Sequence, residues 1–227
     1  MFKRGVYKPF LRTPIWEENQ MNSSPIVSFE GGEGSGKTTQ FDLLCQHLDK
    51  AGVSYLACRE PGGTEISEEI REVLLRRREM KMCLWTELLL YEASRAQTIF
   101  ERVKPAIKAG LLVLLDRFSD SSTAYQGYGR GIDLPQVSVL NQVATQGIVP
   151  VKTLYFDVDP VQGLTRGCKG GRDRIESEGI QFHQRVRMGY LEMAAKEPNR
   201  FLILNGHDPI EVVHAQVVSE VEQLLER

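Results

Sequence analysis

Five short runs of hydrophobic residues recur along the chain, and the stretches between them carry hydrophobic residues at helical spacing. The runs predict strands at residues 25–29, 53–57, 111–115, 153–158 and 200–204. The run 111–115 is wholly apolar, which is typical of a central strand buried on both faces of a parallel sheet. Because strands and helices alternate, we predict an α/β fold with a five-stranded parallel sheet, helices on both faces and right-handed crossovers. Ligands of such sheets bind beyond the carboxyl ends of the strands.

The helical stretches have recognisable ends. They are predicted after the first strand as far as Ala51, then at residues 65–75, 84–109, 135–146, 176–196 and 209–226, with a further helix starting at Pro160. Gly52 is well placed to end the first helix, and Pro105 predicts a kink or a break within the third. The apolar positions of the second helix share one face: Ile66, Ile70, Val73 and Leu74.

Composition narrows the possible functions. The 227 residues carry a formal net charge of −2 with a pI near 6.1, so the overall charge does not support nucleic-acid binding. The longest apolar run is far shorter than the roughly 18 residues of a membrane helix. The four cysteines are scattered without metal-ligand spacing, as expected of thiols in a reducing cytosol. We therefore expect a soluble cytoplasmic protein without a nucleic-acid or membrane partner.

Residues 1–24 differ from the rest of the chain. They carry four basic and two acidic residues and show no clear hydrophobic period. A transit peptide is one interpretation, although the segment lacks the Ser-rich, acid-free composition of such peptides. A translation start at Met21 is another. We expect a disordered N-terminal extension, followed by one domain at residues 25–227.

The segment between the first strand and the first helix fits the phosphate-loop pattern G-x-x-x-x-G-K-[ST]. Its residues are Gly31, Gly32, Glu33, Gly34, Ser35, Gly36, Lys37 and Thr38. Glycines let the backbone approach a phosphate closely, and successive N–H groups together with the start of the helix form a site for anions. Lys37 adds a positive charge, and the Thr38 hydroxyl is placed for a magnesium ion. A Gly-rich turn without a ligand is the alternative, which the full pattern and its flanks disfavour.

Polar residues follow two other predicted strands at the same edge of the sheet. Residues 59–64 contain a Pro-Gly-Gly turn, Asp116 and Arg117 follow the wholly apolar run, and residues 119–131 carry hydroxyl and amide side chains among glycines. A carboxylate at such a strand end often holds a metal ion or its water, and an adjacent arginine can bind a phosphate through two hydrogen bonds. The alternatives are that the turn only ends the strand and that Asp116 and Arg117 form a structural ion pair.

Three arginine-containing segments have roles that the pattern leaves open. Residues 166–174 alternate glycines with cations, which favours a mobile basic flap that closes over phosphates; a solvated charged loop is the alternative. Arg71 lies off the apolar face of its helix, where a solvated side chain is the simplest interpretation. Tyr91 and Arg95 are four residues apart on one helix face, an arrangement that usually reflects packing and snorkelling.

From about residue 25 to the end, these motifs resemble those of bacterial thymidylate kinases, which have the P-loop NTPase fold. The matching segments are residues 29–39, 59–64, 88–95, 116–130 with an Ala-Tyr-Gln-Gly run, and 173–176. The resemblance implies a P-loop nucleoside monophosphate kinase domain with a mobile lid. It also implies transfer of the ATP γ-phosphate to dTMP, in dTTP biosynthesis, with magnesium and a homodimer.

The resemblance assigns roles to individual residues. It implies that residues 31–38 hold the ATP phosphates, that Lys37 follows the γ-phosphate, and that Thr38 and Asp116 serve the magnesium ion. The implied dTMP pocket consists of Glu60, Pro61, Arg71, Tyr91, Arg95, Arg117, Ser121, Ser122, Tyr125 and Gln126. Arg71 and Arg117 would clamp its phosphate, Tyr91 would stack on thymine, and Tyr125 would crowd the 2′ position of the sugar. The stacking position is more commonly Phe.

Some thymidylate kinases carry an arginine in the phosphate loop, at the position where this chain has Glu33. The catalytic cation is therefore expected in the basic flap, at Arg166, Lys169 or Arg172, acting alongside Lys37 and Arg117.

Two other functions stay open. A phosphate-loop kinase for another nucleoside or nucleotide would keep the loop and lose the base pocket. The presence of Tyr91, Arg95 and Tyr125 disfavours this alternative. A nucleotide-hydrolysing switch protein would not need a second arginine-rich phosphate site, and the chain has no guanine-reading N-K-x-D sequence.

Overall fold

A computed structural model describes residues 24–167 and 173–226 of the chain. Five strands form one sheet: β1 Ser24–Gly31, β2 Tyr55–Arg59, β3 Leu112–Asp116, β4 Pro150–Asp157 and β5 Phe201–Asn205. Their order is β2-β3-β1-β4-β5, and every pairing is parallel. The sheet therefore extends from β1 on both sides. In parallel sheets of this kind a ligand crevice forms where the strand order reverses, here at the carboxyl end of β1. The predicted five-stranded parallel sheet is confirmed.

Helices cover both faces of the sheet. They are α1 Lys37–Ala51, α2 Glu65–Leu75, α3 Leu84–Thr98, α4 Lys104–Lys108, α5 Ser119–Ser122, α6 Leu134–Thr145, α7 Pro160–Gly167, α8 Ile180–Lys196 and α9 Ile210–Leu225. Alternate residues of β1 face opposite sides, so Val27 packs with Leu44 of α1 and Val217 of α9. Ile26 packs on the other side with Ile99, just after α3. None of the described helices is both long and apolar enough to cross a membrane.

The predicted helix at residues 84–109 is divided by a π-helical turn, Ile99–Val103, which connects α3 to α4. Pro105 explains the irregularity, because proline has no N–H and its ring collides with the carbonyl group four residues earlier. The predicted helix 176–196 begins only at Ile180. Its expected first turn is instead a separate turn in which the Asp173 carboxylate accepts hydrogen bonds from the backbone N–H groups of Ile175 and Glu176, at 2.7 and 2.8 Å.

The apolar face of α2 does not point wholly inward, contrary to the expectation. Ile66 and Val73 are 50% and 41% exposed, whereas Ser67 is fully buried. The Ser67 hydroxyl lies 2.9 Å from the carbonyl oxygen of Ser94 and 3.2 Å from the Thr98 hydroxyl. Helix α2 therefore packs on α3 partly through buried hydrogen bonds, and two of its apolar side chains stay at the surface.

Residues 1–23 lie outside the described residues. The predicted N-terminal extension therefore stays a prediction, apart from Ser24, which already belongs to β1.

Candidate active site

The phosphate loop connects β1 to α1 and packs against α7. Gly34 and Gly36 have positive φ angles of 65° and 85°. A side chain at Gly34 would place its Cβ atom 2.1 Å from the carbonyl oxygen of Gly163, so only glycine fits. Gly36 precedes α1 and offers no side-chain cap, which leaves the first N–H groups of the helix for another acceptor. The local structure is that of an anion-binding loop.

Lys37 and Asp116 lie together at the carboxyl ends of β1 and β3, at the centre of the sheet. Asp116 ends β3, where it pairs in register with Phe29 of β1, and its carboxylate contacts the Lys37 ammonium group. Burial lowers the pKa of Lys37, and Asp116 only partly opposes this shift. Lys37 is 8% exposed. A poorly solvated ammonium with one carboxylate partner is well suited to bind an incoming phosphate.

Arg117 lies between the phosphate loop and Tyr125. Its Nη2 atom is 3.3 Å from Oε1 of Glu33, its Nη1 atom is 3.3 Å from the Ser121 hydroxyl, and its guanidinium carbon is 5.0 Å from the centre of the Tyr125 ring. The backbone of Arg117 has a φ of 72°, which is unfavourable for a residue with a side chain. Its N–H nevertheless donates to the Phe29 carbonyl at 3.0 Å, so the central strand holds this conformation in place.

Glu30 organises the same loop, although the sequence interpretation did not include it. It is fully buried and accepts hydrogen bonds from the Phe118 N–H at 2.7 Å, the Ser121 hydroxyl at 2.6 Å and the Tyr190 hydroxyl at 2.7 Å. Burial raises its pKa to about 7, with a smaller contribution from Asp120. Glu30 thus fixes Phe118 and Ser121, which follow Arg117 in the chain. A carboxylate at the end of an apolar strand was the available signal.

Arg95 is the centre of a buried polar cluster. It is 2% exposed, so packing with a snorkelling head group is the wrong interpretation. Its partners are the Glu60 and Glu92 carboxylates, the Ser122 hydroxyl, the Asn141 amide oxygen and the Phe118 carbonyl, all at 2.7–3.0 Å. Burial raises the pKa of Glu60 to about 7, although Arg95 opposes the shift. Arg95 therefore connects three predicted pocket segments in one rigid arrangement.

Arg71 is not simply solvated either. Its Nη1 atom donates to the carbonyl oxygen of Pro61 at 2.9 Å, and burial lowers its pKa. Glu68, three residues earlier on α2, binds Arg59 at 2.7 Å and the Gly63 N–H at 2.9 Å. The Arg71 side chain thus contacts the turn after β2, and its role at the dTMP phosphate stays a prediction.

A second carboxylate absent from the sequence interpretation, Glu87, holds the base side of the predicted pocket. It accepts hydrogen bonds from Gln126 at 2.9 Å, from Arg130 at 3.0 and 3.1 Å, and from Arg174. Burial alone would raise the pKa of Glu87, but these donors lower it overall. Tyr91, one helical turn away on α3, is half-buried. Glu87 therefore connects the predicted pocket to Arg174, at the end of the predicted flap.

The two ends of the predicted flap are ordered. Arg166 belongs to α7, close to Gly34, and is exposed. Its guanidinium donates to the Gly206 carbonyl at 2.9 Å and lies 3.3 Å from Nδ1 of His207. Arg174, at the other end, binds Glu87 and the Leu74 carbonyl, so neither end is a loose solvated loop. Lys169 and Arg172 lie outside the described residues.

Comparison with known proteins gives a consistent result. The sequence profile described as "Thymidylate kinase" matches residues 29–217. The chain belongs to the thymidylate kinase family. It is 44% identical to "Thymidylate kinase" of Caldanaerobacter subterraneus subsp. tengcongensis, over 88% of this chain and 96% of that protein. The protein of the same name from Kosmotoga olearia is 48% identical, with coverages of 86% and 94%.

A solved structure supports the same relationship. The crystal structure of thymidylate kinase from Ehrlichia chaffeensis superimposes with a TM-score of 0.73 at 33% identity, covering 88% of this chain and 99% of that one. The predicted bacterial family, P-loop NTPase fold and kinase class are confirmed. The roles of individual residues stay predictions, which the geometry supports to different degrees.

Proposed function

We propose that this protein phosphorylates dTMP to dTDP with ATP at the carboxyl edge of β1 and β3. The arrangement of Lys37 and Arg117 carries the proposal. Lys37 of the phosphate loop contacts Asp116 at the end of β3. Arg117, the residue after Asp116, contacts Glu33 of the same phosphate loop. The site proposed for the ATP phosphates and the site proposed for the dTMP phosphate therefore adjoin. Adjacent, charge-neutralised phosphates held in line are the main requirement of phosphoryl transfer.

The described residues divide the work between two sides. On the ATP side, the buried Ser35 hydroxyl finds no hydrogen-bond partner among the described residues, which a bound phosphate oxygen would supply. Lys37 exchanges its contact with Asp116 for the transferring phosphate. On the dTMP side, Arg71 and Arg117 hold the phosphate, and Tyr91, Arg95, Ser122 and Gln126 hold the base. The basic flap then closes, excludes water and adds a cation.

Magnesium fits the residues at this edge. Thr38 and Asp116 offer hard oxygen atoms, and Mg²⁺ is commonly bound by one or two carboxylates together with substrate phosphates. The described part of the chain contains no cluster of three or more potential metal-binding side chains, which agrees with that mode of binding. When bound with ATP, the ion neutralises charge on the phosphate oxygens.

We also propose that the protein is a homodimer. Helix α3 packs between α2 and α6, and these elements with the π-helical turn expose several large apolar side chains. They are Ile66, Val73, Trp85, Leu89, Phe100, Val139 and Val143. A second copy is the proposed occupant, because large apolar side chains exposed together on one helical layer are typical of obligate interfaces. Sedimentation should show a dimer that Leu89→Asp converts to monomer; a monomeric wild-type protein would contradict the proposal.

The remaining proposals concern the cellular compartment of the protein and the bounds of its kinase domain. Since ATP and dTMP are the proposed substrates, we place the protein in the cytoplasm without nucleic-acid or membrane partners. The kinase domain is proposed to comprise residues 25–227, with residues 1–24 as an appendage. Removing residues 1–20 should leave kcat and the melting temperature unchanged, and a loss of several degrees would show that the extension docks on the domain.

A coupled assay of ADP release tests the reaction itself. ADP should form only when ATP, magnesium and dTMP are all present. The value of kcat/KM should be higher for dTMP than for UMP, dCMP or dGMP. Equal ADP release with and without dTMP would indicate a nucleotide-hydrolysing switch. A preference for another monophosphate would indicate the alternative kinase.

A further inference from the structure

A cleft of about 310 Å³ lies between the C-terminal end of α2, the segment before α3 and the first turns of α3. Its walls include Arg76, Arg78, Lys81 and Arg174, together with the apolar side chains of Met80 and Leu90. No residue of the predicted dTMP pocket or phosphate loop is among the described residues that line it. Its volume is that of a small-molecule site.

The chemistry of the walls selects an anion. Four side chains at the cleft are cationic, and none of the described lining residues is acidic. Glu79, within the same segment, does not line it. The Nη2 atom of Arg174 is buried and makes no hydrogen bond to any described residue, so this guanidinium has a donor left over. Guanidinium groups bind phosphates through paired hydrogen bonds, and the apolar side chains favour a ligand that also carries a nonpolar group.

The cleft is connected to the base side of the active site through one side chain. Arg174 lines the cleft and also binds the Glu87 carboxylate, which in turn accepts a hydrogen bond from Gln126 at 2.9 Å. Glu87 is 1% exposed, so this contact cannot be replaced easily by water. A ligand that draws Arg174 towards the cleft would weaken its hold on Glu87 and release Gln126.

We propose that this cleft is an effector site for an organic phosphate of about nucleotide size, separate from both substrate sites. Occupancy changes the affinity for dTMP through the Arg174–Glu87–Gln126 contacts. This kinetic consequence rests on the proposed function, whereas binding to the cleft does not.

Calorimetric titration of the full chain tests binding without turnover. The probe is 1-naphthyl phosphate, added while dTMP and ADP saturate the substrate sites. One equivalent should bind, and inorganic phosphate, which lacks the nonpolar group, should bind more weakly. Arg78→Glu/Lys81→Glu should weaken probe binding roughly tenfold or more, because charge-assisted hydrogen bonds are lost. The matched control Lys50→Glu/Lys108→Glu reverses two exposed charges elsewhere and should bind as wild type does.

Several results would overturn the proposal: no binding to wild type, equal loss in both double variants, or inorganic phosphate binding as tightly as the probe. Lys81→Glu alone, at an exposed position, keeps the test valid if the double variant unfolds. In the ADP-release assay, saturating probe should change KM for dTMP in wild type and not in Arg78→Glu/Lys81→Glu. Binding without any change in KM would refute the effector role. Absent turnover in every sample would count against the proposed function and leave the calorimetry unaffected.

Discussion

The proposed dTMP pocket and the root of the proposed basic flap hold their cations in opposite ways. In the pocket, Arg95 is buried and bound by two carboxylates, a hydroxyl, an amide and a carbonyl group. At the flap root, Arg166 is exposed and bound only by the Gly206 carbonyl and the His207 ring among the described residues. From this difference we propose that the pocket is organised before substrates bind, whereas the flap cations act once substrates are in place.

Preorganisation in the pocket has an energetic cost. Buried ion pairs contribute little net stability, because desolvation offsets most of the Coulomb attraction. Their benefit here is placement, since one Arg95 side chain holds Glu60, Ser122 and Phe118 in fixed relation. Such rigidity reduces the entropy lost when dTMP is positioned for transfer. Arg166 has fewer contacts of this kind among the described residues.

The largest expected effect is on the ATP side, at the centre of the preorganised edge. Lys37→Ala should reduce kcat roughly 10³-fold or more, because the transferring phosphate loses a charge partner in a poorly solvated site. Lys50→Ala, at an exposed position of the same helix, is the matched control. Substantial turnover by the Lys37 variant in the ADP-release assay would show that another group carries this charge.

The next largest effect distinguishes the flap from the pocket. Arg166→Ala, Lys169→Ala and Arg172→Ala are made singly, and one of them should lower kcat by roughly 10² or more with KM for dTMP nearly unchanged. The reason is that Glu33 in the phosphate loop pairs with Arg117, so the loop itself supplies no extra cation. Wild-type kcat in all three variants and in the triple variant would remove the flap as the source.

A stability measurement tests Glu30, which supports the pocket side. Its pKa is raised from 4.5 to about 7, so the folded state binds this proton more tightly than the unfolded state. The free energy of unfolding should therefore decrease by about 3 kcal/mol from this group as pH rises from 4.5 through 7. Urea unfolding at pH 5 and pH 8 should show a smaller decrease in Glu30→Gln. The exposed control Glu211→Gln should match wild type, and equal pH dependence in all three proteins would contradict the assignment.

The smallest effect concerns sugar selection in the pocket. Tyr125 is buried beneath Arg117, and its hydroxyl group has no hydrogen-bond partner among the described residues. Its contribution should therefore come from bulk, so Tyr125→Ala should narrow the preference for dTMP over its ribose counterpart by about tenfold, whereas Tyr125→Phe should preserve it. The ratio of kcat/KM values for the two nucleotides measures this, and an unchanged ratio in Tyr125→Ala would exclude the role.

The sequence predicted the fold, and the meeting of the phosphate loop with Asp116 and Arg117, because both depend on local pattern. Strand and helix periods are read over a few residues, and the phosphate loop is a contiguous motif between two such elements. Asp116 and Arg117 could be placed because the ends of parallel strands meet at one edge.

The contacts of Glu30 and Glu87 could not be predicted in this way. Their roles depend on partners far away in the chain: Glu30 binds Tyr190 at a separation of 160 residues, and Glu87 binds Arg174 at a separation of 87. The same limit applies to α2, where buried Ser67 depends on acceptors in α3. Long-range hydrogen bonds leave no periodic signal in the sequence.

The affinity of the flap-deficient enzyme for dTMP tests most directly the claim that the pocket is organised in advance. The Arg166→Ala/Lys169→Ala/Arg172→Ala variant and wild type are titrated calorimetrically with dTMP, and kcat is measured on the same samples. We expect dissociation constants that agree within roughly twofold while kcat falls by about 10² or more. A dissociation constant that weakened in proportion to kcat would show that the flap helps to bind dTMP in the ground state, and would contradict the account.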